Sequence, residues 1–548
     1  MLRLAFCHGI SPYIYAKPTL GLPGQQGIPV DPAPLSHRVR SGGVTMNNQA
    51  TENWDVIVVG AGTAGMPTAI FAAQRGAKVL LIEQDTKVGG TLHYSGGQMA
   101  ATGTRLHKER SIDDSPQEFL DDMRRICHDT FDEPMFRIHA ENSGDTIDWL
   151  LDLNYNVDPE CPGVLMVHEP YYTKRSFWSP DEGKGLINCI APALMAGVEK
   201  GGVDLRLGTE CTELLHDDSG AVIGIRTKTI EGAEKTKEET EHDYNGDNVV
   251  VTSGGYAANR DLFKKYSPHA HHYSSTNPNS QGKGIKLMDA VGAKIEGGEN
   301  VIPSYGCVLD DPNDPMCSTY IGGQGNALSD YVWLDTAPQS RQPWEVHVNI
   351  NGERFLREDI PSVDDRELAL EKQPEWRHFL VFDEGVRQNA PKITPFWTNE
   401  EFKAALGTHP SFLKADTLDD LANRMGVDAD TLDATIHRYN GFVADQKDPD
   451  FGRECLPKQI KKAPFYAIQC VGMSVMSSAG VVTDETFNVV DTNGKAIPNL
   501  YAAGEVLGFG RLGGHAFIPG GSVTPALTFG RLLGQSILQW RRNTEAAE

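Results

Sequence analysis

The chain has 548 residues, of which 39% are hydrophobic and 23% charged. This length and composition predict a globular protein with more than one domain. Lys and Arg total 50 and Asp and Glu total 74, so the formal net charge is −24. Such an acidic chain repels phosphate backbones and anionic lipids, which argues against nucleic-acid and membrane-surface partners. No apolar run approaches the roughly 20 residues of a membrane span, and we expect a soluble protein.

Cysteine usage and the N-terminal composition give two further expectations. The nine cysteines include no C-x-x-C pair, which favours free thiols in a reducing compartment and a cytoplasmic protein. Residues 1–50 are rich in Pro and Gly and nearly free of acids; we expect a disordered leader, with a transit peptide as the alternative. The histidines at 269, 271 and 272 lack a further ligand at metal spacing, so no metal site is predicted.

The clearest motif follows a run of buried-strand character at residues 55–59. Gly60-x-Gly62-x-x-Gly65 leads from this strand into a helical pattern, and a second apolar strand ends at Glu83. In this order the first glycine makes a tight turn, the second lets a pyrophosphate approach the backbone, and the third lets helix and strand pack closely. The helix N-terminus offers free N–H groups to phosphates. The pattern predicts a Rossmann-type dinucleotide site with Glu83 on the adenosine ribose.

A second glycine-dense stretch, residues 88–97, favours FAD over NAD because it lets backbone lie along an extended cofactor. The G-x-G-x-x-G pattern at residues 508–513 has no acid-ended strand after it, so no second dinucleotide is expected. The last helix, which follows residues 519–525, places its N-terminus where it can face the anionic edge of reduced flavin. The predicted FAD contacts are Gly60, Gly62, Ala64, Gly65, Glu83, Gln84, Gly89, Gly90, Thr91, Gly96, Gly97, Cys211, Ser253, Gly254, Gly255, Glu505, Ser522, Thr524, Pro525, Ala526 and Leu527.

The alternation of strand and helix patterns sets the predicted domains. It persists to about residue 300, where hairpins, Pro-rich turns and amphipathic helices replace it, and it returns near the C-terminus. We predict an α/β fold in which a Rossmann-type FAD-binding domain carries an inserted α+β cap, or substrate, domain. The FAD-binding domain takes residues 51–300 and 456–548, and the cap takes residues 301–455.

These motifs together resemble the flavoprotein family that includes soluble fumarate reductases, the succinate dehydrogenase flavin subunit and 3-ketosteroid dehydrogenases. The resemblance covers residues 55 to about 539 and rests on the two glycine motifs and on residues 253–255, 500–505 and 524–530. It implies that the cap closes over the flavin, that hydride passes between flavin N5 and a substrate carbon, and that a nearby residue moves the proton.

The resemblance also implies candidates for the reacting centre. Arg341 lies eight residues before Asn349 of an N-x-x-G-x-R-F hairpin, and by its match to the fumarate reductases it is the predicted proton donor. Arg511 matches an arginine that grips the substrate carboxylate in those enzymes. His515 lies beside it between two glycine-rich turns and is the third candidate. A buried guanidinium can give a proton to a forming carbanion if a relay replenishes it.

The chain departs from the motifs of this family at three points. Fumarate reductases carry a histidine that contacts the dicarboxylate, whereas residues 476–480 read Met-Ser-Ser-Ala-Gly. The turn at 519–525 is more like that of ketosteroid dehydrogenases, although the tyrosine that precedes it there is absent, since Phe517 and Ile518 stand at this place. Gly90 occupies the position of the histidine that attaches flavin covalently in some members, and His93 is out of register. We therefore expect noncovalent FAD.

The leading hypothesis is an FAD enzyme that interconverts CH–CH and C=C bonds next to a carbonyl, in the manner of a 3-ketosteroid dehydrogenase acting on a ketone or cyclic carbonyl compound. One alternative is a fumarate reductase-like enoate reductase that uses a separate electron donor. Another is the flavoprotein subunit of a multi-subunit electron-transfer complex. Each hypothesis requires a small-molecule substrate and an electron donor or acceptor that the sequence does not identify.

Overall fold

The computed structural model describes residues 53–166, 168–231, 238–274, 276–309, 311, 318–319, 334, 336, 338, 341–394 and 397–545. The expected leader, residues 1–50, lies outside the described residues. Within the described part, no helix is both long enough and apolar enough to cross a membrane.

The segment before residue 300 is the predicted first part of the FAD-binding domain. Its strands are β1 (Asn53–Trp54), β2 (Val56–Val59), β3 (Val79–Ile82), β4 (Met99–Ala100), β5 (Ser176–Phe177), β6 (Val203–Arg206), β7 (Thr209–His216), β8 (Val222–Glu231), β9 (Glu238–Gly246), β10 (Val249–Val251) and β11 (Ile295–Glu296). Its helices are α1 (Gly65–Gln74), α2 (Arg105–Glu109), α3 (Pro116–Cys127), α4 (Glu133–Asp152), α5 (Glu182–Glu199), α6 (Arg260–Tyr266) and α7 (Lys283–Ala290).

The middle of the chain is the predicted cap, and the end is the predicted second part of the FAD-binding domain. The cap strands are β12 (Ser304–Leu309), β13 (Ser318–Thr319), β14 (Val346–Asn349), β15 (Arg377–Asp383), β16 (Phe412–Ala415) and β17 (Phe465–Met473). Its helices are α8 (Val363–Glu371), α9 (Glu384–Asn389), α10 (Asn399–Thr408), α11 (Leu418–Met425) and α12 (Ala429–Asp445). The returning elements are β18 (Gly480–Val481), β19 (Asn488–Val490), β20 (Ala496–Ala502), α13 (Phe509–Leu512) and α14 (Val523–Glu545).

The central sheet of the FAD-binding domain has the order β19-β20-β10-β2-β3-β6. The pairs from β20 to β6 are parallel and only the edge strand β19 is antiparallel. All residues of β2, β3 and β10 are buried, as expected for Val- and Ile-rich parallel strands covered on both faces. The predicted α/β fold with a Rossmann-type domain is confirmed.

A smaller sheet lies beside the central one. Its order is β1-β9-β8-β7, and the pairs β7 with β8 and β8 with β9 are antiparallel. The parallel pair of β1 with β9 joins the meander to the start of the domain.

The cap is built on an antiparallel sheet of order β13-β12-β17-β15-β14, with β16 also paired to β17. The predicted cap ends at residue 455, yet β17 pairs along its length with β15 and also with β12 and β16. The pairing of the cap sheet therefore extends to Met473. β17 has nine residues and is almost wholly buried. A buried strand has the same hydrophobic pattern in either domain, so the sequence pattern alone does not show that β17 belongs to the cap sheet.

Candidate functional site

The glycine motif forms the floor of a cradle at the carboxyl ends of β2, β3 and β10. Gly60 has a φ of +106°, and a Cβ there would meet Thr252 O at 2.8 Å. A Cβ on Gly65 would stand 1.8 Å from Gly60 O, so α1 approaches the strand closely only without a side chain. The Thr252 hydroxyl donates to Gly60 O at 2.8 Å and holds the turn. The roles predicted for the first and third glycines agree with this geometry.

The cradle is lined by backbone and by small or polar side chains from distant parts of the chain. Its lining residues are Val59, Gly60, Gly62, Thr63, Ala64, Ile82, Glu83, Gln84, Asp85, Gly90, Thr91, Leu92, Ser95, Thr209, Glu210, Cys211, Thr252, Ser253, Gly254, Asn277, Asn279, Ser280, Lys283, Leu287, Gly504, Glu505, Ser522, Val523 and Ala526. The start of α14 and the turn before α1 thus face one space, where helix N-termini favour an anion.

Most of the predicted cofactor contacts lie in this cradle, and some lie behind it. Those that do not line it are Gly65, Gly89, Gly96, Gly97, Gly255, Thr524, Pro525 and Leu527. Several of these support the lining instead: a Cβ on Gly255 would overlap Ser477 Oγ and Glu505 Oε1, and the Thr524 hydroxyl accepts from Ala100 N at 2.8 Å.

Residues 277–283 form a polar wall of the cradle that the sequence did not predict. The Lys283 ammonium lies 2.8 Å from Glu210 Oε1 and donates to Gln84 Oε1 at 2.9 Å. Asn277, Asn279 and Ser280 complete this wall. The only signal in the sequence is an Asn- and Ser-rich turn ahead of α7, and such turns are common at helix starts without a ligand.

Glu83 is fixed at the end of β3, where the motif requires an acceptor. Ala61 N–H donates to one carboxylate oxygen at 2.8 Å and Asp85 N–H to the other at 2.9 Å. Burial raises the pKa of Glu83 above its ordinary value, although these backbone donors oppose the shift. A carboxylate keeps further lone pairs in this arrangement, so Glu83 can still accept from a ribose hydroxyl.

Three features of the cradle fit a bound dinucleotide. A Cβ on Gly62 or Gly254 would have no neighbour within 4 Å, so the backbone at these two positions borders open space. The Ser253 hydroxyl is buried and has no hydrogen-bond partner among the described residues. Glu505 is held by Ser477, whose N–H donates at 3.0 Å and whose hydroxyl donates at 2.9 Å. The bare backbone and the orphaned hydroxyl are what a pyrophosphate and a polyol chain would satisfy.

A separate buried apolar cluster packs around α3, α4 and residues 509–518, and Leu368 of α8 packs against it. The cluster consists of Ala100, Phe119, Leu120, Met123, Ile126, Cys127, Phe136, Ala140, Tyr171, Ile302, Phe509, Ala516, Phe517 and Ile518, with Phe131, Leu368, Val475 and Met476 packed against it. These residues belong to the hydrophobic core, and none of them lines the cradle.

Arg341 lies inside the cap in a buried ion pair. Its guanidinium donates to Glu345 at 3.0 and 2.5 Å. His347 Nε2 lies 3.4 Å from the same carboxylate, and its Nδ1 lies 2.7 Å from the Tyr305 hydroxyl. Burial alone would raise the pKa of Glu345, but Arg341 and His347 outweigh it and hold that pKa well below its usual value. Arg341 is therefore the first member of a chain of polar groups, as a relay requires.

Arg511 and His515 both lie at contacts between elements. The Arg511 guanidinium donates to Val481 O at 2.9 Å and pairs with Asp132, the N-cap residue of α4. His515 Nε2 lies 3.0 Å from Glu371 Oε1 at the end of α8. The hydrogen bond with Glu371 raises the pKa of His515 above its ordinary value, while burial opposes the shift. His515 thus joins the FAD-binding domain to the cap, and the catalytic roles of all three residues stay predictions.

The fold and the cradle together define a dinucleotide-binding flavoprotein with an inserted cap. The family described as FAD binding domain matches residues 55–523, and the chain belongs to this family. It is an FAD-dependent oxidoreductase of the group that contains fumarate reductases and 3-oxosteroid dehydrogenases. The expected family, cofactor and enzyme class are confirmed.

Individual relatives come from both branches of that group. The chain is 29% identical over 495 residues to "Fumarate reductase (cytochrome)" of Shewanella frigidimarina, covering 89% of this chain and 77% of the relative. It is 25% identical over 595 residues to "3-oxosteroid 1-dehydrogenase" of Mycolicibacterium smegmatis, covering 89% and 97%. The solved 3-ketosteroid Δ1-dehydrogenase of Sterolibacterium denitrificans matches with a TM-score of 0.68 at 20% identity, covering 89% of this chain and all of that one, and shows the shared fold.

Proposed function

We propose that the enzyme interconverts CH–CH and C=C bonds next to the carbonyl of a ketone or cyclic compound, in the oxidative direction. Bound FAD supplies a two-electron acceptor at N5. The observation that carries the proposal is the ion pair of Arg511 with Asp132, which neutralises the arginine proposed to hold a substrate carboxylate. A small dianion is costly to bury beside groups whose charges are already paired.

The polar groups at Ser477 and Arg511 support a neutral substrate. The Ser477 hydroxyl, in the segment where fumarate reductases carry a histidine, donates to Glu505 and accepts from Tyr256 N at 2.6 Å. The Arg511 guanidinium is neutralised by Asp132. A dicarboxylate would therefore have to displace an existing ion pair before Arg511 could hold it.

For the proton step we retain Arg341, Arg511 and His515 as proposed residues of the reacting centre. Arg341 is the proposed acid in the reductive direction, because Glu345 and His347 stand behind it and can pass a proton on. Arg511 and His515 are proposed to hold and orient the substrate where α13 meets the cap. Each role requires the cap to bring these side chains to the flavin.

The second candidate is an enoate reductase with a separate electron donor. It is favoured by the 29% identity to the Shewanella fumarate reductase. In that case Arg511 would exchange Asp132 for the substrate carboxylate, and the Asp132→Asn variant should bind an unsaturated acid more tightly than the unchanged enzyme does. If it binds the acid no better, Arg511 is not a carboxylate site.

We further propose that FAD is noncovalent and that the protein is cytoplasmic. His93 lies within the second glycine stretch, and its Nε2 lies 2.9 Å from Val88 O, so this ring is engaged by the backbone. The described cysteines are free thiols and most are buried, as is usual in a reducing compartment. Acid precipitation of the purified protein should release the yellow cofactor into the supernatant.

A screen for turnover tests the proposed reaction. Ketosteroids, cyclic ketones and unsaturated acids are supplied in turn, with dichlorophenol-indophenol as acceptor for oxidation and reduced viologen as donor for reduction. We expect a saturated ring ketone to bleach the indophenol dye without a partner protein. Turnover only with viologen and an unsaturated acid would replace this proposal by the second candidate.

A further inference from the structure

Three side chains, the Lys283 bridge, are joined at one end of the cradle. The Lys283 ammonium lies 2.8 Å from Glu210 Oε1 and donates a hydrogen bond to Gln84 Oε1 at 2.9 Å. Gln84 directly follows Glu83, the residue predicted to hold the adenosine ribose. The bridge therefore lies beside the place where the ribose of bound FAD is expected.

The members of the bridge come from different parts of the cradle lining. Lys283 is the first residue of α7 and ends the polar wall of residues 277–283. Gln84 follows β3 and Glu210 lies in β7, so both come from the sheet side. All three residues line the cradle. The ion pair and the hydrogen bond of Lys283 therefore cross from the polar wall to the sheet side.

The bridge lies at the rim of the cradle and not at its floor. The side chains of Lys283 and Glu210 are 41% and 40% exposed, whereas Thr252 and Ala64, which line the same cavity, are buried. Side chains that line a cavity and also reach solvent stand at its opening. The contacts of Lys283 across this rim therefore narrow the opening through which the adenosine end of a bound dinucleotide would pass.

A half-exposed ion pair of this kind is weak enough to open. Exposed pairs contribute little free energy and are weakened by salt. Exposed side chains change rotamer on the picosecond to nanosecond timescale. The Lys283 bridge can therefore open and form again without movement of the main chain, and the fraction of open bridges should rise with ionic strength.

We propose that the Lys283 bridge is a latch that closes over the adenosine end of FAD and slows both the uptake and the release of the cofactor. The inference rests on the noncovalent attachment proposed above, because covalently attached flavin does not leave. A latch and a direct contact with FAD differ in their kinetics. Opening a latch speeds uptake and release together, whereas removing a contact acts mainly on release.

The test compares Lys283→Met with Lys265→Met in the full chain. Lys265 is the matched control, because it forms a partly exposed ion pair of 2.9 Å with Asp289 and does not line the cradle. FAD is removed from the purified protein and added back, and uptake is followed by the quenching of flavin fluorescence. Release is followed by the fluorescence that returns on dilution. Both rates are measured at low and at high salt.

At low salt, Lys283→Met should speed uptake and release of FAD about fivefold each, the size expected for an exposed ion pair. Lys265→Met should keep the rates of the unchanged protein, and at high salt the unchanged protein and Lys283→Met should have equal rates. Faster release with unchanged uptake, or equal rates in all proteins at low salt, would overturn the latch. Flavin that stays on the acid-precipitated chain would overturn the noncovalent attachment and the latch with it, so the two failures are distinguished.

Discussion

The cradle and the cap interior stabilise charge in opposite ways. In the cradle, bare backbone at Gly62 and Gly254 and the ends of α1 and α14 face a space for an anion. In the cap, by contrast, charged side chains are buried against one another: Glu358 is fully buried beside Arg354 and Arg453. Backbone dipoles can bind an anion without a charged side chain as partner. A buried ion pair, by contrast, is strongly destabilised when one of its members is removed. Mutations in the two regions should therefore fail differently.

The largest effect is expected at Gly65. An added Cβ would lie 1.8 Å from Gly60 O, so Gly65→Ala should prevent a folded holoenzyme, beyond the roughly 1–3 kcal/mol of ordinary overpacking. Gly62→Ala is the matched control because its Cβ meets nothing within 4 Å. It should fold but bind FAD about tenfold more weakly. Thermal unfolding measures the stability of both variants, and FAD titration measures their affinity for the cofactor. A stable, fully yellow Gly65→Ala protein would contradict the close approach of α1 to the turn.

In the cap we expect Glu358→Ala to lower the free energy of unfolding by about 3–5 kcal/mol, because it removes the carboxylate that pairs with the buried Arg453 and one of the two carboxylates, Glu358 and Asp448, that pair with Arg354. Glu358 accepts from Arg354 at 2.9 and 2.6 Å and lies 3.3 Å from Arg453. Asp450→Ala, which breaks an ion pair with the largely exposed Arg438, should cost about 1 kcal/mol or less. Urea unfolding measures the free energy of unfolding of the Glu358→Ala and Asp450→Ala variants. Equal losses would mean that burial does not distinguish the two pairs.

Arg341 provides a test in which stability and catalysis separate. Arg341→Met should keep the bound flavin but reduce turnover about a hundredfold if Arg341 moves the proton. It should also destabilise the cap, since Glu345 then lies buried without its partner. The double variant with Glu345→Met should regain stability without regaining rate. If turnover returns together with stability, Arg341 acts only through its ion pair.

The smallest effect is expected at the contact between His515 and Glu371. The raised pKa of His515 means that the folded protein binds this proton more tightly than the unfolded chain does. The stabilisation is therefore complete below the ordinary histidine pKa of about 6.5 and disappears as pH rises through the raised value. Glu371→Gln should lower the melting temperature at pH 5.5 by an amount worth about 1 kcal/mol or less, and should have little effect at pH 9. A larger difference at pH 9 would reverse this assignment.

The contrast between the cradle and the cap also explains which features the sequence could predict. Gly60, Gly65 and Glu83 were predictable because a dinucleotide turn imposes backbone geometry within about thirty residues of chain, and glycine is the residue that permits it. Lys283 was missed because it reaches the cradle only through the sheet pairing that brings α7 beside β7.

In the proposed reaction, carbon–carbon oxidation next to a carbonyl occurs on the flavin held by this cradle. Anaerobic mixing of the purified yellow protein with saturated ring ketones tests this reaction. We predict that at least one such ketone bleaches the visible flavin absorbance, that the product carries a new C=C bond next to the carbonyl, and that air restores the colour. Colour that survives every ketone, while an unsaturated acid reoxidises the chemically reduced protein, would contradict the claim.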